Sequence, residues 1–139
     1  MSPAVQWMVT FHDEFDPEFD ALSQDVQEQL LAAAHALRQL GPRAGRPRVG
    51  ALKNPRHPNM KELRFSAHNG AEIWRATFAF DPNRHAIILV AAEKQGVDQD
   101  RFYRELLSKA NDRYDRHLAA LNAVEIAKAT KGGKGSKRR

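Results

Sequence analysis

Arginine grips phosphate well because its planar guanidinium offers paired N–H donors and stays charged at any physiological pH. The stretch from Leu40 to Arg64, LGPRAGRPRVGALKNPRHPNMKELR, concentrates such cations: seven Lys or Arg stand against one acid, Glu62. Arg75 follows on the next segment that alternates apolar and polar residues. Residues 1–37, by contrast, hold seven acids and no Lys or Arg. A chain polarised in this way presents a basic surface that asks for a polyanion, to be masked by the acidic part beside it or by another segment. Arg46, Arg48, Lys53 and Arg56 are the connector cations expected to contact a nucleic acid backbone, with Lys61, Arg64 and Arg75 close behind them.

The remaining chemistry-bearing residues narrow the field. Among six His, no pair has HExxH spacing, and the chain has no Cys, so no metal site, thiol chemistry or disulfide is expected. His35 and His117 fall on helical stretches and read as core-edge residues. His57 is the better candidate for proton transfer, since an unperturbed imidazole titrates near pH 6.5 and this one sits amid the bases. There is no GxGxxG, P-loop or GxSxG pattern, and Gly41, Gly45 and Gly50 are too interspersed with Pro to cradle a nucleotide. No cofactor is expected.

The elements that must carry these residues follow from periodicity. Val5, Trp7, Val9 and Phe11 alternate with Gln6, Met8 and Thr10, a strand with one buried face. Asp16-Pro17 predicts a helix start, and Phe19, Leu22, Val26, Leu30, Ala33, Leu37 and Leu40 recur at steps of three and four. Ser23 is placed to cap a second helix within that run, and Gly41-Pro42 stops it. Residues 41–60 read as an irregular connector. A three-strand meander follows over 61–66, 73–80 and 86–92, with turns at His68-Asn69-Gly70 and Asp81-Pro82-Asn83. The final helix spans about Asp98 to Leu121, with Tyr103, Leu107, Ala110, Tyr114, His117 and Leu121 as its stripe. The order predicts a small α+β domain on a mostly antiparallel sheet.

Strand alternation then makes a specific statement. If Leu63, Phe65, Trp74 and Phe78 face the helices, Arg64 and Arg75 project from the opposite face as neighbours on adjacent strands. Together they form a phosphate-sized positive surface, unless they are consumed by Glu62 and Glu72, which share their parity. Lys61 has the parity of Leu63, but it opens its strand and its long stem can bend round.

Bulk composition sets the frame. The 139 residues fit one domain, expected over 1–124, with 125–139 a basic tail. Lys128 to Arg139 holds six bases and no acid, which leaves residues 1–127 with 16 bases, 17 acids and a net charge of −1. Its composition, KATKGGKGSKRR, is expected to leave it disordered. No apolar run approaches the roughly 18 residues of a membrane span, and the N-terminus lacks a signal pattern, so a cytoplasmic protein without membrane contact is expected.

The segment Gly41-Pro42…Gly45-Arg46-Pro47-Arg48-Val49…Leu52-Lys53…Arg56-His57-Pro58-Asn59-Met60-Lys61-Glu62-Leu63-Arg64 resembles the core of the HigB-type toxins. These belong to the RelE/ParE toxin superfamily and are related to phage-derived Gp49-like proteins. The resemblance continues through Trp74-Arg75-Ala76, Phe78-Ala79-Phe80-Asp81-Pro82, Ala86 to Val90, Glu93-Lys94, Arg101-Phe102-Tyr103 and Tyr114-Asp115. It covers most of residues 1–121.

The resemblance implies a RelE-like fold, with N-terminal helices on an antiparallel sheet and a C-terminal helix. It implies a ribosome-dependent mRNA endonuclease, an mRNA interferase, that inhibits translation as the toxin of a type II toxin–antitoxin system. Its implied partners are a cognate helix-turn-helix antitoxin, mRNA on the ribosome, and a higher-order toxin–antitoxin complex. By motif position Lys61, Arg64, Arg75 and Lys94 are the implied catalytic bases, with His57 the neutral-pH alternative for moving a proton. The Lys-Lys pair that Gp49-like proteins show after the last strand is here Lys94-Gln95, and Tyr103 is the nearest analogue of the chain-end Tyr of some relatives. Two other readings use the same scaffold: a ParE-like toxin that inhibits DNA gyrase through protein contacts, and a non-catalytic nucleic-acid-binding protein.

Overall fold

The computed structural model describes residues 7–96 and 98–137, with side chains through residue 130. Alternation does what it predicts. Leu63, Ala76, Phe78 and Ile88 turn to one side of a sheet and meet Leu30, Ala33, Ala34 and Leu37, the apolar stripe of a helix. Met60, Ala79, Ile87 and Leu89 turn to the other side and meet Leu106, Ala110 and Tyr114 of a second helix. The sheet is therefore covered on both faces.

In chain order the elements are β1 (Met8–Phe11), α1 (Asp16–Asp20), α2 (Gln24–Leu40), a 3-10 turn (Gly41–Arg43), β2 (Val49–Ala51), β3 (Met60–Ala67), β4 (Glu72–Phe80), β5 (His85–Glu93) and α3 (Gln99–Lys137). The five strands lie in the order β1-β5-β4-β3-β2. β1 runs parallel to β5 and the other pairs are antiparallel. This is the α+β, RelE-like arrangement expected from the sequence. Val5, assigned to the first strand, lies outside the described residues.

Several local signals act as read. Ser23 Oγ accepts the Val26 N–H and caps α2, which splits the long helical run in two. Gly41 ends α2 at φ 55°, a conformation that favours glycine. His68, Asn69 and Gly70 all take positive φ and turn β3 into β4. The Asp81 carboxylate accepts the N–H groups of Asn83 and His85 and fixes the β4–β5 turn.

Other details differ. Asp16 is the first helical residue of α1, with Phe15 before it and no side-chain cap. Within the connector, Val49–Ala51 forms an edge strand whose three residues pair with Lys61–Leu63. In β5 the register shifts by one between Thr77–Val90 and Phe78–Ile88, so both Leu89 and Val90 pack toward α3. Of the stripe expected on α3, Ala110 and Tyr114 are buried and Tyr103 and Leu107 pack partly against the core; Leu106, Asn111 and Arg113 are buried as well, Arg113 because it goes inside with partners. Its guanidinium donates to the Leu89 carbonyl and pairs with Glu18.

That pairing also answers the masking question. Glu18 of α1 binds Arg113, and Glu14 binds Arg116 at 2.6 Å, so these N-terminal acids hold α3 rather than the basic connector. The last helix continues to Lys137, sixteen residues past the expected Leu121 and across a segment whose composition predicted disorder. Residues 122–130 are exposed, so nothing in the sheet covers this part.

His12 gives a pH prediction. Burial is the main cause holding its imidazole below the ordinary value, and its Nδ1 accepts the Glu14 N–H at 3.1 Å. The folded chain thus keeps this residue neutral to a lower pH than the unfolded chain does. As pH falls below about 6.5 the unfolded state takes up the proton first, so stability declines with acidification in this window. Chemical denaturation at pH 7.5, 6.5 and 5.5 is expected to show that decline. His12→Asn, which retains an acceptor, flattens it; an unchanged slope in the variant would contradict the assignment.

Candidate phosphate-binding site

Arg64 and Arg75 stand directly opposite one another in the β3–β4 register. Both project from the face away from α2, because Leu63 and Phe65 on one strand, and Trp74 and Ala76 on the other, turn toward α2 or its flank. The face is not bare. Near β4 and β5 it is covered by α3, and the arginines lie where this cover ends.

Between them sits Glu62, 3% exposed at its side chain. Its Oε2 accepts from Arg64 Nε at 2.7 Å, and its Oε1 lies 3.7 Å from Arg75 Nε. The side chains of Arg64 and Arg75 are 31% and 16% exposed. One carboxylate thus aligns two guanidinium groups and cancels one of their charges, leaving a net positive charge at the pair. Glu72 takes no part: it accepts the Trp74 indole N–H.

Tyr103 completes the group from α3. Arg75 Nε donates to its hydroxyl at 3.2 Å, and Arg75 Nη1 donates to the Trp74 carbonyl at 3.0 Å, which fixes the guanidinium from two sides. Burial first, and hydrogen bonding to Glu62 second, push the Tyr103 phenol above its ordinary value. At neutral pH it therefore holds its proton and acts as a donor. Lys94 Nζ lies 5.7 Å from the centroid of the Tyr103 ring, close enough for a cation–π contact.

Two hollows flank Arg64. The larger, about 590 Å³, runs over the edge of β3 toward the C-terminal end of α2 and includes Arg46, Arg48, Arg64, Ser66, Ile73 and Arg75. The smaller, about 330 Å³, lies between β2 and the start of α3 and includes Leu52, Lys53, Glu62, Arg64 and Tyr103. Arg64 lines both hollows, and Arg75 lines the larger one.

The structure sorts the residues named from sequence. Arg64, Arg75, Lys94, Arg46, Arg48 and Lys53 gather at or beside the site. Lys61 lies opposite Ala51 and Phe78, on the face of Leu63, and lines neither hollow. His57 is elsewhere: its Nε2 is 2.7 Å from Asp115 Oδ1 and its ring packs edge-on to Tyr114. Arg56 is paired with the same Asp115, so both tie the connector to α3 instead of facing the hollows. The spacing could not show this, because Asp115 is distant in sequence. Among the described residues no His, Asp or Glu cluster is arranged to hold a metal ion.

One residue passed over in the sequence positions another. Gly50 of β2 pairs with Glu62 of β3, and a Cβ added at Gly50 would sit 2.5 Å from Arg64 Nη2. The guanidinium lies across the space that only hydrogen leaves open. Gly50→Ala is therefore expected to displace Arg64 and reduce any activity of the site by on the order of tenfold or more. Gly96→Ala, where an added Cβ meets nothing within 4 Å, is the matched control. Equal activity of the two variants would show that the placement of Arg64 does not matter.

Comparison with known proteins bears on this arrangement of bases. The family model described as phage derived protein Gp49-like matches residues 17–115, from α1 through the buried part of α3. The chain belongs to the Gp49-like family. It is also similar to two curated proteins of Mycobacterium tuberculosis. It is 38% identical over 100 residues to putative toxin HigB2, covering 72% of this chain and 49% of that protein. It is 37% identical over 102 residues to putative toxin HigB3, covering 73% of this chain and 85% of that protein. The chain thus spans about half the length of HigB2 and most of HigB3. No solved structure matches it. The matched span of this Gp49-like protein contains Glu62, Arg64, Arg75, Lys94 and Tyr103, and stops short of the exposed end of α3. No helix among the described residues is long and apolar enough to cross a membrane.

Proposed function

We propose that this Gp49-like chain is the toxin of a type II toxin–antitoxin pair and cleaves translated mRNA on the ribosome without a metal ion. The observation that carries the reading is the Arg64–Arg75 pair, opposed across two strands, aligned by one carboxylate and lining one hollow together. Likeness to proteins named as toxins supports the biological setting. The implied partner is a helix-turn-helix antitoxin that neutralises the chain and joins it in a higher-order complex.

The chemistry asks little beyond positioning and charge. The ribose 2′-oxygen attacks the adjacent phosphorus, a 2′-O–P bond forms and the P–O5′ bond breaks. The products are a 2′,3′-cyclic phosphate and a 5′-hydroxyl. Arg64 and Arg75 hold the non-bridging oxygens, where negative charge gathers in the pentavalent transition state. Tyr103, which keeps its proton, donates to the leaving 5′-oxygen. Lys94 adds positive charge beside that phenol. Glu62 is buried between cations, so it orients them rather than taking a proton; the 2′-hydroxyl proton passes to solvent or to the ribosome.

Expression of the chain in a bacterium, followed by mapping of new RNA 5′ ends, tests this. The expected result is codon-associated cuts bearing 5′-hydroxyls, suppressed by Arg75→Lys. Intact mRNA with trapped gyrase–DNA breaks would replace the reading with gyrase inhibition. Binding of RNA without cutting would leave a nucleic-acid-binding scaffold.

A further inference from the structure

A phosphodiester cut between two hollows has a nucleoside on each side, and the two hollows differ in chemistry. The larger one presents Arg46 and Arg48 on walls that also include Leu37, Leu40, Phe65 and Ile73, and no carboxylate lines it, so it suits backbone phosphate and offers no paired acceptor to a base edge. The smaller one is built otherwise. Its walls include Leu52, Leu107 and the Tyr103 ring, and at its mouth the first turn of α3 places Gln99 and Asp100. Leu52, Tyr103 and Leu107 are each partly buried against the α3-side core, so they form a fixed apolar floor.

Asp100 is the distinctive group. The cap of α3 is Asp98, whose Oδ1 accepts the N–H groups of Asp100 and Arg101. Asp100 is therefore not needed as the cap, and among the described residues its carboxylate has no hydrogen-bond or ion-pair partner. A carboxylate at the rim of an apolar slot offers two acceptors side by side. Of the four RNA bases, guanine alone presents two adjacent donors, N1–H and N2–H, on its Watson–Crick edge. Adenine, cytosine and uracil each present one donor there beside an acceptor that repels a carboxylate.

We infer that the smaller hollow is a base-reading subsite selective for guanine, with Asp100 as the discriminating residue and Leu52, Leu107 and Tyr103 as the surface the base lies on. The inference rests on the phosphate-binding reading of Arg64 and Arg75, because it places the base next to the phosphate they hold. Lys53, at the same hollow, offsets the repulsion between Asp100 and the RNA backbone.

The test needs no cleavage. The full chain is titrated with guanosine, adenosine, cytidine and uridine 5′-monophosphates by calorimetry, because Tyr103, which serves the leaving 5′-oxygen, lines this hollow. Guanosine 5′-monophosphate is expected to bind about tenfold more tightly than the others, as a bidentate base contact provides. Asp100→Ala brings all four to similar affinity. Arg64→Lys weakens all four alike and keeps the preference for guanine. Equal affinities in the unmodified chain, or a guanine preference that survives Asp100→Ala, would overturn the base assignment and leave the phosphate site standing. Failure of all four to bind would remove the phosphate site, and the subsite with it.

Discussion

Lysine in place of both Arg64 and Arg75 is expected to abolish most RNA cleavage while leaving the fold intact. Each single replacement keeps a positive charge for Glu62 but loses the paired donors that grip two phosphate oxygens. Removal of one preorganised donor from a charge-stabilising site commonly costs about 10²–10³ in rate. Each single variant is therefore expected to lose roughly 10²-fold. The double variant should fall further, but by less than the product, because both groups act on one phosphate. Alanine is the poorer probe, since it leaves the buried Glu62 short of a partner. The assay is single-turnover cleavage at saturating enzyme, with circular dichroism as the control. Cleavage within threefold of the unmodified chain would remove the bidentate grip from the mechanism.

The second large effect concerns stability. Glu62 is almost fully buried and faces two guanidinium groups that are themselves mostly covered. Breaking a buried pair by removing one member costs about 3–5 kcal/mol, because the other charge stays behind without compensation. Arg64 is about one-third exposed, so water recovers part of that cost, and Glu62→Ala is expected to destabilise by about 3 kcal/mol. For a chain of this size that lowers the thermal midpoint by roughly 10 °C. Glu62→Gln, which keeps the shape and one acceptor, should lose distinctly less. A midpoint unchanged in Glu62→Ala would mean that the carboxylate does not hold the pair.

The two effects belong to one arrangement, and this explains why the site reads as both structural and chemical. Ion pairing with Glu62 and a shared positive face were competing expectations for Arg64 and Arg75. The structure satisfies both, because one carboxylate cannot neutralise two cations. The residual charge faces the hollows.

What could be read from sequence was whatever depends on neighbours along the chain. Period-two alternation placed Arg64 and Arg75 on the face opposite Leu63, Trp74 and Ala76, and the register made them partners. Ser23 and Gly41 fixed the ends of α2 by local hydrogen bonding and backbone conformation. What was hidden depends on contacts across the chain. His57 looked free among bases until Asp115 of α3 claimed it. Gly50 looked like one more loop glycine until Arg64 lay across it. Arg113 broke the apolar stripe of α3, yet it is buried because Glu18 and the Leu89 carbonyl wait for it. Tyr103 was linked to the site only through the family resemblance; its contact with Arg75 arises because α3 brings the hydroxyl there, a distance no spacing rule supplies.

The most direct test is to watch both guanidinium groups as a phosphodiester binds. The side-chain Nε–H resonances of Arg64 and Arg75 in isotopically labelled protein, assigned through the two lysine variants, are followed while a dinucleotide with 2′-O-methyl ribose, which cannot be cut, is added. Joint capture of one phosphate predicts that both resonances move along the same saturation curve with a single dissociation constant. Movement of one without the other, or of neither while the dinucleotide binds elsewhere, would contradict it.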